Sequence, residues 1–163
     1  MNKLTKIALL CLLGFAAAPA ASAQSSKIRP ARAEEVLLLN HIAIYVHDLA
    51  QSTAFYEDVL QLKQIPEPFK DGRHTWFTLG RAGQLHLIQG ASRDVTPDKN
   101  DHLCFSVRSI DDFIANLDKH TVDYTNWPGT AKAPTVRVDG VKQIYFQDPD
   151  GHWIEVNNDR PAR

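Results

Sequence analysis

The chain has 163 residues, a formal net charge of −1 and a hydrophobic content of 44%. The near-neutral charge and the lack of a basic block exclude nucleic acid and an anionic membrane surface from the expected partners. Cys11 and Cys104 are the two cysteines. Because Cys11 lies in a predicted cleavable leader, no intramolecular disulfide is expected in the mature protein.

The first 23 residues have the pattern of a secretory signal peptide. Lys3 and Lys6 precede the apolar run "IALLCLLGFAAAPA", and "ASAQ" supplies small residues for a cleavage expected after Ala23. The run is too short for a transmembrane helix. We therefore expect a secreted or periplasmic protein with no membrane association after signal removal. A flexible, polar segment 24–36 would precede a single domain, 37–160.

The first half of that domain reads as one strand, one helix and three strands. "LNHIAIYVHDL" is rich in β-branched residues and predicts a strand. Asp48 can cap the helix "LAQSTAFYEDVL". The strands "LKQIPEPF", "HTWFTLG" and "QLHLIQG" follow, the last two as a hairpin around "RAG".

The second half repeats this order after the loop "ASRDVTPDKN". It has a strand "DHLCFSV", a helix "SIDDFIANLDKH" capped by Ser109, and a weak strand "VDYTNW". A long connection, "PGTAKAPTVRVDG", leads to the strands "VKQIYFQ" and "HWIEVNN", joined by the turn "DPDG". The repeat predicts an α+β fold of two βαβββ modules, about 37–90 and 100–158.

Aligning the two halves pairs polar residues at equivalent strand positions. His41 aligns with His102, and His86 aligns with Glu155. Strand alternation places each of the four on the face opposite the bulky aliphatic residues, whereas His152 has the wrong parity. Three imidazoles and one carboxylate suit a divalent transition metal such as Zn, Ni, Mn, Co or Fe. We therefore predict one metal per site. The alternative for His86 is a buried core histidine whose ring nitrogens are hydrogen-bonded within the protein.

The stretches "NHIAIYVHDLAQSTAFYEDVLQL", "WFTLG", "DHLCFSV" and "FQDPDGHWIEV" resemble the vicinal oxygen chelate superfamily. This group includes glyoxalase I, fosfomycin-thiol transferases, extradiol dioxygenases and metal-free bleomycin-resistance proteins. The resemblance implies that the modules form a curved, cup-like mixed sheet with helices on its outer face. It also implies that His41, His102 and Glu155 are metal ligands, that His86 takes the fourth position, and that the protein is a homodimer.

By this resemblance, the leading expectation is a metal-dependent, glyoxalase-like lyase or isomerase acting on a small substrate with vicinal oxygens. Glu155 would be its catalytic base, although His86 stands where glyoxalase I has a second carboxylate. The alternatives are a fosfomycin-type thiol transferase or other antibiotic-modifying enzyme, an extradiol dioxygenase, and a bleomycin-resistance-like sequestering protein. The predicted substrate-binding residues are Trp76, Arg137, Lys142 and Tyr145. Arg137 and Lys142 are equally compatible with solvated strand-edge charges.

Overall fold

The computed structural model describes residues 37–92 and 98–159, so the predicted signal peptide and segment 24–36 lie outside the described residues. The first module contains β1 (His41–Val46), α1 (Leu49–Asp58), β2 (Lys63–Ile65), β3 (His74–Thr78) and β4 (Gln84–Gln89), with a short 3-10 turn at Gly80–Ala82. The second contains β5 (His102–Ser106), α2 (Ile110–Lys119), β6 (Thr135–Val136), β7 (Lys142–Gln147) and β8 (Trp153–Asn157). Within the described residues, no helix is long and apolar enough to cross a membrane.

Each module forms its own four-stranded mixed sheet. The strand order is β1-β4-β3-β2 in the first sheet and β5-β8-β7-β6 in the second. In both, the first strand of the module pairs in parallel with the last, and the other neighbours are antiparallel. The predicted α+β class and the repeated βαβββ order are therefore confirmed.

The aliphatic faces of the two sheets and the two helices share one hydrophobic core. Alternate residues of β1 illustrate the division, because Ile44 and Val46 are buried while His41, Ala43 and Tyr45 are exposed. Leu85 and Leu87 of β4, and Ile154 and Val156 of β8, are likewise fully buried. The helices cover these faces, so the opposite face of each sheet is left for the polar residues of the predicted site.

Both helices begin at the predicted caps. The Asp48 carboxylate accepts a hydrogen bond from the backbone N–H of Gln51 at 3.0 Å. The Ser109 hydroxyl accepts one from the backbone N–H of Asp112 at 3.1 Å. Each cap satisfies a backbone donor that has no partner inside the helix. The caps thus determine where the chain leaves β1 and β5.

The weak strand predicted at "VDYTNW" is wrong, because the second strand of this module is Thr135–Val136, inside the predicted connection. Residues 122–127 contribute only an isolated bridge from Thr125 to Tyr145. The Asn126 side chain accepts hydrogen bonds from the backbone N–H groups of Thr130 and Ala131. This local turn competes with strand pairing, so the chain joins β7 only farther along.

Asp148, in the turn between β7 and β8, holds that turn against α1. Its buried carboxylate accepts hydrogen bonds from the Tyr56 hydroxyl at 2.9 Å and from Nδ1 of His152 at 2.8 Å. Burial, followed by the charge of Asp148, raises the pKa of Tyr56. His152 is therefore a structural residue with a carboxylate partner, which agrees with the strand parity that excluded it from the predicted metal site.

Candidate metal centre

Strand register places equivalent residues of the two modules in matching rows across the sheets. The central row of the first sheet is Ala43, His86 and Trp76, and that of the second is Cys104, Glu155 and Tyr145. The register reproduces the predicted equivalence of His86 and Glu155. In both modules, this row carries a metal-ligating residue type with an aromatic neighbour on β3 or β7.

The first half-site is a stack of three rings on the polar face of the first sheet. The His86 ring lies between Trp76, with ring centroids 3.8 Å apart, and His41, with centroids 4.4 Å apart. Nε2 of His86 donates to Oε1 of Gln84 at 2.9 Å, so Nδ1 retains the lone pair. Burial, and then the neighbouring His41, lower the pKa of His86. A neutral imidazole is the form that binds a metal.

His41 presents a lone pair to solvent from the same half-site. Its Nδ1 lies 2.8 Å from Oδ1 of Asn40. A carbonyl oxygen only accepts hydrogen bonds, so Nδ1 carries the proton and Nε2 carries the lone pair. An outer hydrogen bond of this kind selects the tautomer of a metal-binding histidine.

The second half-site places His102 against Glu155. Nδ1 of His102 donates to the backbone carbonyl of Lys99 at 2.8 Å, which leaves the lone pair on Nε2. Nε2 lies 3.4 Å from Oε2 of Glu155. A lone pair facing a carboxylate is repulsive unless His102 gains a second proton or a cation binds both groups.

Three hydrogen-bond donors hold the Glu155 carboxylate. Tyr145 donates to Oε2 at 2.5 Å, while Asn157 and Cys104 donate to Oε1 at 2.8 and 3.4 Å. Burial alone would raise the pKa of Glu155, but these hydrogen bonds outweigh it and the pKa lies below its usual value. Burial, and then Glu155, raise the pKa of the Cys104 thiol to about 12, so it remains a donor. Glu155 is therefore an oriented carboxylate anion.

Within one chain the four predicted ligands form two pairs rather than one cluster. Among the described residues, no group of three or more His, Cys, Asp or Glu side chains is arranged to hold a metal ion. His41 and His86 belong to the first sheet, and His102 and Glu155 to the second. Within the described part of one chain, the four residues therefore remain as two separate pairs.

The donor chemistry of the two pairs fits a divalent transition metal. The tautomers of His41 and His102 each leave Nε2 available, and His86 leaves Nδ1. Glu155 adds a carboxylate that its three donors keep charged. Neutral imidazoles with one anionic oxygen suit zinc, nickel, manganese, cobalt or iron.

The structure brings two of the four predicted substrate-binding residues to the half-sites. Trp76 stacks on His86, and Tyr145 bonds to Glu155. Arg137 is occupied by ion pairs with Asp139 and Asp159, at 2.5 and 3.2 Å. Lys142 shares strand parity with Ile144 and Phe146, whose side chains face the core, so it is not brought to the Glu155 face.

Three residues that contact Glu155 or His102 were missed by sequence reasoning. Asn157 and Cys104 have the strand parity of the ligands, and that pattern could have identified them. The carbonyl of Lys99 selects the tautomer of His102. Lys99 lies in a loop, where the sequence has no periodicity from which a side-chain direction could be predicted.

Known proteins resemble this chain over most of its described length. Residues 38–156 match the family model of the Glyoxalase/Bleomycin resistance protein/Dioxygenase superfamily. The Escherichia coli K12 protein YaeR, described as uncharacterized, is 34% identical over 130 residues, covering 72% of this chain and 93% of YaeR. The metallothiol transferase FosB of Staphylococcus epidermidis is 30% identical over 127 residues, covering 76% of this chain and 82% of FosB.

A solved structure shares the fold at lower identity. The crystal structure of the fosfomycin resistance protein FosX from Listeria monocytogenes superimposes with a TM-score of 0.60 at 22% identity, covering 75% of this chain and 93% of FosX. With two βαβββ modules, paired polar half-sites and a family match across both modules, the chain belongs to the Glyoxalase/Bleomycin resistance protein/Dioxygenase superfamily.

Proposed function

We propose that this protein is a divalent-metal-dependent enzyme acting on a small substrate with neighbouring oxygen atoms. The observation that carries the proposal is the distance of 3.4 Å between Nε2 of His102 and Oε2 of Glu155. Because the proton of His102 is on Nδ1, no hydrogen bond joins these two atoms. His41, His86, His102 and Glu155 would hold the metal. When bound, the metal would supply Lewis-acid polarisation of the substrate oxygens.

Among the activities of the superfamily, the geometry favours transfer or addition chemistry over a glyoxalase-like proton abstraction. A lyase of the glyoxalase type would need Glu155 as both ligand and base. Three donors and a lowered pKa make Glu155 a weak base at neutral pH. A nucleophile that brings its own reactivity, such as a thiol, removes the need for that base. The similarity to the metallothiol transferase FosB supports the same preference.

We further propose that a homodimer completes the site, with His41 and His86 of one protomer joining His102 and Glu155 of the partner subunit. Two features support this assembly. Among the described strands, β1 and β5 lie at sheet edges, and each supplies one histidine of a half-site, His41 and His102. An apolar groove of about 450 Å³ beside them includes Ile42 and Leu103. A second chain would cover both the strand edges and the groove.

A complementation experiment tests the shared site. One variant carries His41→Ala with His86→Ala, and the other carries His102→Ala with Glu155→Gln. Each variant alone should bind no zinc tightly. After the two are unfolded and refolded together, a mixed dimer would contain one site with all four native ligands, and should bind one zinc. No recovery of zinc binding in a verified mixed dimer would contradict the shared site.

The type of reaction is tested separately with the metal-loaded wild-type protein. In the presence of fosfomycin, we expect the protein to consume a low-molecular-weight thiol, and titration of the remaining thiol measures this consumption. The comparison is formation of a thioester from methylglyoxal and the same thiol. Thioester formation without consumption of fosfomycin would favour the glyoxalase-like lyase instead.

We also propose that residues 1–23 direct export and are removed, as the sequence pattern predicts. N-terminal sequencing of the protein recovered from a periplasmic fraction should begin at Gln24. Recovery of an intact N-terminus from the cytoplasm alone would contradict export.

A further inference from the structure

The ammonium group of Lys99 lies among aromatic rings on the polar face of the second sheet. Nζ is 4.5 Å from the ring centroid of Trp153, 5.3 Å from that of Tyr145 and 6.0 Å from that of Trp127. Trp153 and Tyr145 have the strand parity and pairing that put them beside Glu155. The positive charge therefore lies over the same face as the candidate metal ligands.

Among the described residues, the direct hydrogen-bond partners of this ammonium are neutral. Nζ donates to the backbone carbonyls of Trp127 at 3.0 Å and of Asn126 at 3.4 Å. Among the described residues, no carboxylate forms an ion pair with Lys99, whereas Arg137 and Lys132 each pair with two aspartates. Within residues 37–92 and 98–159, the charge of Lys99 therefore has no counter-ion.

The surroundings also reduce the hydration of this cation. Burial lowers the pKa of Lys99. The side chain is nevertheless only partly exposed, because three aromatic rings lie around its ammonium group. A partly desolvated cation without a counter-ion attracts an anion more strongly than a fully hydrated surface lysine does.

The main chain of Lys99 connects this cation to the metal half-site. Its carbonyl oxygen accepts the hydrogen bond from Nδ1 of His102 at 2.8 Å. Its side chain extends over Tyr145, whose hydroxyl reaches Glu155 at 2.5 Å. A ligand group bound by the ammonium would therefore lie beside the Glu155 carboxylate and its tyrosine.

We propose that Lys99, with the rings of Trp127 and Trp153, forms a subsite for an anionic group of the substrate. The class of ligand is a carboxylate, phosphonate or phosphate attached to a flat or apolar body. The anion would accept a hydrogen bond from Nζ, and the body would contact the two indole rings. Trp127 is 42% exposed, which leaves its ring accessible to such a group. This inference rests on the proposed function and specifies its substrate.

The test uses phenylphosphonate as the probe, titrated into the full mature protein by calorimetry. Lys99→Met retains the length and apolar stem of the side chain but removes its charge, and Lys99→Arg retains the charge. Lys119→Met, at the exposed end of α2, is the matched control. We expect Lys99→Met to weaken phenylphosphonate binding about tenfold or more. Lys99→Arg and Lys119→Met should remain close to wild type.

Two further measurements establish whether the charge of Lys99 itself binds the anion. Benzyl alcohol, which lacks the anion, should bind wild type and Lys99→Met equally, and added salt should weaken only phenylphosphonate binding. Thermal melting shows whether Lys99→Met is folded. If it is not, the phenylphosphonate affinity of Lys99→Arg and the salt dependence of binding to wild type determine whether the charge of Lys99 binds the anion. Zinc binding is measured in parallel. A lack of zinc binding would contradict the proposed metal-dependent function but would leave the anion subsite to be judged by phenylphosphonate binding. Equal phenylphosphonate affinity in wild type and Lys99→Met, or no binding to wild type, would overturn the subsite.

Discussion

The Tyr145 hydroxyl donates to Oε2 of Glu155 at 2.5 Å, and the same oxygen lies 3.4 Å from Nε2 of His102. One carboxylate oxygen thus connects a buried phenol to a candidate metal ligand. Burial, followed by the hydrogen bond to Glu155, raises the pKa of Tyr145, so the phenol stays protonated and continues to donate. Gln143 donates in turn to the Tyr145 hydroxyl at 2.6 Å and so orients it. This chain of donors prepares Glu155 to act as a ligand.

The first prediction concerns Tyr145→Phe, which removes one donor to Glu155 and leaves the ring in place. We expect zinc affinity to fall about ten- to a hundredfold, because outer hydrogen bonds orient metal ligands. Competition with a fluorescent chelator measures the change. Tyr124→Phe is the control, since the Tyr124 ring contacts Lys132 and packs against the hydrophobic core. Equal zinc affinities in the two variants would show that the hydrogen bond from Tyr145 does not orient a ligand.

The second prediction compares Glu155→Gln with His152→Ala. Glu155→Gln removes the charged ligand and should lower zinc affinity by more than about a hundredfold, with loss of any metal-dependent turnover. His152→Ala should leave zinc stoichiometry unchanged, because His152 bonds to Asp148 in the turn between β7 and β8. Metal analysis after dialysis distinguishes them. Equal loss of zinc in both variants would contradict the assignment of these residues to opposite faces.

The third prediction concerns His86, whose Nε2 bonds to Gln84 and whose ring lies between Trp76 and His41. If Nδ1 of His86 is a metal ligand, His86→Ala should weaken zinc binding about ten- to a hundredfold while the fold is retained. Zinc titration and thermal melting of the same variant measure both effects.

The alternative role of His86 gives a different result. As a core histidine only, its removal would leave zinc affinity unchanged and cost about 2–5 kcal/mol of unfolding free energy, as other large-to-small core changes do. His74→Ala is the matched control on the same sheet, because His74 is bonded to Asp71. A stability loss without any change in zinc affinity would reduce the ligand set to His41, His102 and Glu155.

The fourth prediction concerns pH and the structural pair of His152 and Asp148. The hydrogen bond from His152 to Asp148 raises the pKa of His152 in the folded state, against the opposing effect of burial. The charged imidazole therefore favours the folded state. This stabilisation is complete below the unfolded pKa of about 6.5 and is lost as pH rises through the higher folded pKa.

Urea denaturation at about pH 5.5 and about pH 8.5 measures the effect. The free energy of unfolding should fall more between these values in wild type than in His152→Gln, which cannot carry the charge. An identical decrease in both proteins would show that His152 does not contribute to the pH dependence. The experiment is designed to be independent of metal binding, because the pair lies in the turn between β7 and β8, where Asp148 also bonds to Tyr56 of α1.

The sequence by itself determined the repeated βαβββ order, the two helix caps and the face on which each candidate ligand lies. These features depend on short-range rules, because strand parity and capping involve residues only a few positions apart. The equivalence of His86 and Glu155 was accessible for the same reason, since both occupy the last strand of their modules. The weak strand at "VDYTNW" was wrong because a local turn around Asn126 overrode its strand propensity.

Only the tertiary structure decided which residues surround the ligands and how they are grouped. The contacts from Tyr145 and Asn157 to Glu155, and from Lys99 to the aromatic rings, join different strands and loops. The separation of the ligands into two pairs has the same origin, because the helix-covered faces of both sheets share one core and turn the polar faces away from it. Side-chain direction in a loop and the packing of two modules depend on contacts distant in the chain, and sequence periodicity carries no information about them.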